Sequence, residues 1–95
     1  MNVNESILLE TESRRRELQK RATRLTDALM LSMSIGHGGS LALFVGSEKA
    51  NNRDAIQGWV LRQLPELAEC SDMHALQILR RRLADLLDTG RDPTL

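Results

Sequence analysis

Aromatic side chains are almost missing from this chain of 95 residues: Phe44 and Trp59 are the only two, and there is no tyrosine. Valine is nearly as scarce, occurring only at Val3, Val45 and Val60. β-Branched and aromatic residues favour strands, so their scarcity argues against a sheet. Cys70 is the only cysteine, which excludes an internal disulfide and removes one argument for secretion. Excess charge is missing too. Thirteen basic and thirteen acidic residues cancel, so no global field draws in nucleic acid or an anionic membrane. The opening MNVNESILLE has neither a basic segment nor a long apolar one. No signal peptide is expected, and the expected location is the cytoplasm.

What remains is a helix-forming composition. Apolar residues make up 41% of the chain, and leucine dominates them. Unbranched and γ-branched side chains lose little rotamer freedom in a helix. The length allows one domain. The expectation is an all-α fold: a small bundle of three to five helices, with a long first helix, forming a single domain over residues 1–95.

The spacing places the elements. Asn4 is a candidate cap for a first helix running to about Ile35. Leu18, Ala22, Leu25 and Leu29 fall on one face of it, whereas residues 10–17 hold no apolar side chain and read as solvated. Glu10→Arg14, Glu12→Arg16 and Glu17→Arg21 stand in the favourable order for i,i+4 ion pairs. Gly36-His37-Gly38-Gly39 then marks a bend or a very close packing contact. Ser40 can cap the short apolar run Leu41–Val45, which reads as helix. Asn51 or Asn52 caps a further helix with Ile56, Trp59, Val60 and Leu64 on one face, and Pro65 stops it or starts a new turn. Ser71 caps the last helix, whose stripe is Leu76, Leu79, Leu83 and Leu86, widened by Ile78 and Leu87. Gly90 is its expected stop, with a tail over residues 91–95.

Candidate chemistry is thin. Gly36-His37-Gly38-Gly39-Ser40 has the look of an oxyanion loop, but no G-x-S-x-G elbow accompanies it. It lacks the lysine of a phosphate-binding loop. Cys70 and His74 lie four apart and could share a helix face. A zinc site needs about four ligands, and the chain offers one cysteine and two histidines. The plainer reading is a half-buried thiol and a solvent-facing imidazole. No catalytic residue, metal or cofactor is expected.

Two arginine triplets stand out, Arg14–Arg16 and Arg80–Arg82. Nucleic acid is a possible target, but no aromatic accompanies them as a stacking platform. Successive helical residues also turn by about 100°, so a triplet is not one aimed patch. Residues 28–47 carry no charge and approach the length of a membrane span. Small residues recur at Ser32, Gly36 and Ser40, and at Gly38, Ala42 and Gly46. Glycine, serine and His37 keep that run only modestly apolar.

The favoured expectation is a non-enzymatic cytoplasmic adaptor, inhibitor or regulator that binds another protein. The candidate contact residues are Arg14, Arg15, Arg16, Arg80, Arg81, Leu76, Leu79 and Leu83. A homodimer is also expected, because a helix of about 45 Å would outrun so small a domain and leave Leu18, Ala22, Leu25 and Leu29 partly uncovered. The alternatives are a nucleic-acid-binding regulator using both triplets, and a small membrane-associated protein with residues 28–47 inserted.

Overall fold

The structure, a computed structural model, describes residues 3–36, Gly38 and residues 51–89, with side chains described for residues 10–36, Gly38 and residues 51–88. Its elements are α1 (Val3–Ser32), α2 (Asn52–Gln63), a 3-10 turn (Leu64–Leu67) and α3 (Asp72–Thr89). No strand occurs among the described residues. The fold is a small all-α bundle with a long N-terminal helix, as the composition implied.

α1 begins at Val3, so Asn4 lies inside its first turn rather than ahead of it. The helix ends at Ser32, short of Ile35. Its stop is built from backbone bonds. The Ile35 N–H donates to the Met30 carbonyl at 2.9 Å, and the Ser34 N–H to the Leu31 carbonyl at 3.2 Å. Those two bonds form a Schellman motif, which needs a left-handed residue at its pivot. Ser34 supplies it with φ of 56°. Ile35 then packs back against the core, the apolar contact that usually accompanies this stop.

The chain has already left the helix before Gly36. Among the described residues, a Cβ added at Gly36 or Gly38 would meet nothing within 4 Å, so neither packs closely against them. Gly39, Ser40 and the apolar run 41–45 lie outside the described residues, as do Gly90 and the tail 91–95.

α2 returns antiparallel along α1. Asn52 Nδ2 donates to the Gly36 carbonyl at 2.8 Å, Arg53 pairs with Asp27 at 3.1 Å, and Gln57 Nε2 donates to Thr23 Oγ1 at 3.3 Å. The α1 partners fall in number as the α2 residues rise. Asn51 caps α2, its side chain accepting from the Asp54 N–H at 2.8 Å. Pro65 sits in the 3-10 turn that ends α2. Ser71 Oγ accepts from the His74 N–H at 3.1 Å and so caps α3.

The core collects Ala22, Leu25, Leu29 and Met30 from α1, Ile56, Trp59, Val60, Leu64 and Leu67 from the middle of the chain, and Ala75, Leu79, Leu83 and Leu86 from α3. The faces expected for α2 and α3 are therefore the buried ones. Ala75 joins the α3 line, and Leu76, Ile78 and Leu87 flank it half-buried. One expectation fails here. Ala22, Leu25 and Leu29 are sealed within the single chain, because α2 and α3 both pack on α1. Only Leu18 of that face is half-buried, so covering these residues gives no reason to dimerise.

Candidate functional site

The feature that the core leaves unexplained is the N-terminal half of α1. From Glu10 to Glu17 every side chain is exposed, and Leu18 is the first to be partly covered. The helix runs 30 residues, about 45 Å at 1.5 Å per residue. The molecule measures 50 Å along its longest axis and 30 × 24 Å across. α1 therefore sets the length of the molecule, and its first half forms an arm extending past the bundle. A helix polar on every side either bridges through solvent or leans on ion pairs. Among the described residues this stretch of α1 shows Glu12–Arg16 at 3.4 Å and Glu17–Lys20 at 3.6 Å. Exposed pairs contribute little, about 0.3–0.5 kcal/mol each.

Arg14, Arg15 and Arg16 all sit on the arm and all are exposed. The second triplet divides. Arg80 and Arg81 face solvent on α3, whereas Arg82 turns inward. Its Nη1 donates to Gln63 Oε1 at 2.9 Å and to Glu66 Oε1 at 2.6 Å. Arg82 thus joins α3 to the end of α2. Leu79 and Leu83 are wholly buried and Leu76 is half-buried. Of the three leucines expected as contact residues, Leu79 and Leu83 are taken up by the chain's own core. The large apolar side chains that do face solvent among the described residues are Leu31, 85% exposed, and Met73, 74% exposed.

The root of the arm is fastened by Arg21, a residue whose role the sequence did not reveal. It was expected to pair with Glu17, but Glu17 goes to Lys20. The Arg21 guanidinium instead donates to Asp72 Oδ1 at 2.9 Å, to the Leu67 carbonyl at 3.0 Å and to the Cys70 carbonyl at 2.6 Å. The planar fork of an arginine suits this three-way task, since it presents five N–H donors in fixed directions. The Cys70 carbonyl gains a partner, the Leu67 carbonyl gains a second one beside the Cys70 N–H, and the turn before α3 is held against α1. Arg24 adds contacts of 3.4 Å to Asp72 Oδ2. The Arg21 hydrogen bond, helped by the charges of Arg24 and Arg21, holds the Asp72 carboxyl below the usual carboxylate range against the opposing effect of desolvation. No spacing rule links residues 51 apart, so nothing local in the sequence signals this clasp.

The remaining candidates stay plain. Cys70 is half-buried and His74 is exposed. Among the described residues no three His, Cys, Asp or Glu side chains cluster to hold a metal ion. No helix among the described residues is long and apolar enough to cross a membrane. Compared with protein-family models, curated proteins and solved structures, the chain has no match.

Proposed function

We propose that this protein is a small non-enzymatic binding module, an adaptor, inhibitor or regulator that acts in the cytoplasm by docking on another protein. The observation that supports this reading is the exposed arm of α1, carrying Arg14, Arg15 and Arg16 clear of the bundle. A helical arm presented this way offers charge on all sides, with its root fixed by Arg21 and the core. Its arginines suit carboxylates, which they can grip through two parallel hydrogen bonds. The partner this favours is a protein with an acidic surface. Charge of this kind raises the encounter rate and sets specificity more than it sets affinity. Arg80 and Arg81 provide a second exposed basic site on α3.

The test is affinity capture from the native host. Replacing Arg14, Arg15 and Arg16 by alanine should remove the captured partners while leaving the helical circular dichroism intact. Recovery of the same partners by the triple variant would exclude the arm. Capture of nucleic acid with steep salt dependence would instead favour the nucleic-acid alternative.

A further inference from the structure

Among the described residues, the cations held in ion pairs differ in how firmly they are held. Arg21, Arg53 and Arg82 join one element to another at 2.9, 3.1 and 2.6 Å, and no side chain of the three is more than 25% exposed. Arg16, Lys20 and Arg24 are held loosely, at 3.4, 3.6 and 3.4 Å, and each side chain is at least 57% exposed. The first group fixes the fold. The second group is also a row, since its members stand four apart on α1. At about 100° per residue Lys20 lies half a turn round from Leu18 and Leu29, so the row runs along the side away from the core. Arg15 is in line with Leu18 and Ala22 instead, so of the first arginine triplet only Arg16 belongs to the row.

The row works against the helix that carries it. Like charges four apart destabilise a helix about as much as opposite charges stabilise it, and Arg16–Lys20 and Lys20–Arg24 are both like pairs. The fold does not need them, because Arg21 already fastens Asp72 at 2.9 Å beside the looser Arg24 contact. Carboxylates on a partner would turn that repulsion into attraction. The interval between neighbours in the row is about 6 Å, four residues at 1.5 Å each. A partner helix repeats that interval at every fourth residue and brings no unpaired backbone groups of its own. Carboxylates suit the row better than a phosphate backbone does. Each cation already holds one loosely, from Glu12, Glu17 or Asp72, and no aromatic side chain on α1 offers a base a stacking surface.

We propose that Arg16, Lys20 and Arg24 form the docking row for a partner helix whose aspartates or glutamates recur every four residues. This rests on the reading of an acidic protein partner and gives that partner a spacing. Arg24 stands where α1 meets α3, so the partner lies along both the arm and its fastened root.

Exposed charge pairs are individually weak and screened by salt, so a minimal probe binds with a dissociation constant on the order of 0.1–1 mM at low salt. The probe is an alanine-rich peptide of about 20 residues, long enough to be helical, with three glutamates four residues apart. Titrated into the full chain, it should move the backbone amide resonances of Arg16, Lys20 and Arg24 most, and the shifts should vanish near 0.5 M salt. An isomer of the same composition, its glutamates spread around the helix, should bind about threefold more weakly or worse. Arg16→Gln with Lys20→Gln should weaken binding of the first peptide by about threefold or more, and Arg14→Gln with Arg15→Gln by less than about twofold. Glutamine keeps the helix propensity of the residues it replaces. Circular dichroism and the emission of buried Trp59 establish that each variant keeps its helices and its bundle.

The row is overturned if the two peptides bind alike, if the largest shifts fall on Arg80 and Arg81, or if the two double variants lose binding equally. Those results leave an acidic partner in place on another surface. No shift from either peptide at low salt removes both the row and the acidic partner. Stronger binding of a short RNA duplex to the same three residues overturns the assignment to carboxylates.

Discussion

Ser34 occupies a position usually given to glycine. Its left-handed φ of 56° costs an L-residue about 1–2 kcal/mol relative to the right-handed region. Glycine removes that cost and adds some unfolded-state entropy. Ser34→Gly should therefore stabilise the fold by about 0.5–1 kcal/mol, seen as a higher urea midpoint; a lower midpoint would mean the serine side chain contributes something beyond the turn. Thr26 is a second such position. It is fully buried, and its Oγ1 has no hydrogen-bond partner. Thr26→Val keeps the shape and deletes the orphaned hydroxyl, so it should be neutral or stabilising by up to about 1 kcal/mol in the same denaturation measurement. Asp72 makes a prediction about pH. A carboxyl whose folded pKa lies below its unfolded value stabilises the fold above the unfolded value, and that contribution vanishes as pH falls through the folded pKa. For Asp72 the window lies below about pH 4. The carboxyl is half-exposed, so water screens the effect. Asp72→Asn should make acid unfolding in that window shallower, and an unchanged acid limb would assign the pH dependence to other carboxyls.

At the scale of elements, the arm and the bundle should behave as different materials. Residues 10–17 bury nothing in this chain, and a helix without tertiary packing is marginal. Limited trypsin digestion of dilute protein should cut first after Arg14, Arg15 or Arg16. Arg21, Arg53 and Arg82 are held in part-buried ion pairs and should resist. Early cleavage at those three would contradict the fastening described here. α2 and α3 were legible in the sequence because their signals are local. Asn51 and Ser71 are caps, Pro65 marks a turn, and the apolar residues recur at helical spacing. Arg21 was illegible because its partners lie in a distant turn, and because Glu17 offered a nearer one that Lys20 takes. The α3 stripe was read correctly as a stripe, but periodicity cannot tell whether a partner or the chain itself covers it. Leu83→Ala should settle that energetically. A core cavity costs about 2.7–5 kcal/mol, whereas alanine at exposed Arg80 or Arg81 should stay within about 0.5 kcal/mol.

The whole molecule is an elongated body, 50 Å long and 30 × 24 Å across. Trp59 at its centre reports the bundle alone. On heating, some far-ultraviolet ellipticity should be lost before Trp59 emission shifts, because the arm frays first; coincident curves would place the arm within the cooperative unit. The all-α outline was readable from composition. Sequence spacing suggested that uncovered leucines would demand a second chain, and the fold covers three of the four itself. The clasp at Arg21 has one more consequence. Every described side chain that is buried lies at Ala22 or later, and the clasp holds the turn before α3 without help from the residues upstream. Substitutions that alter what the first half of α1 touches can therefore accumulate with little penalty to folding. Binding specificity can drift in one half of the protein while the other half keeps the chain folded.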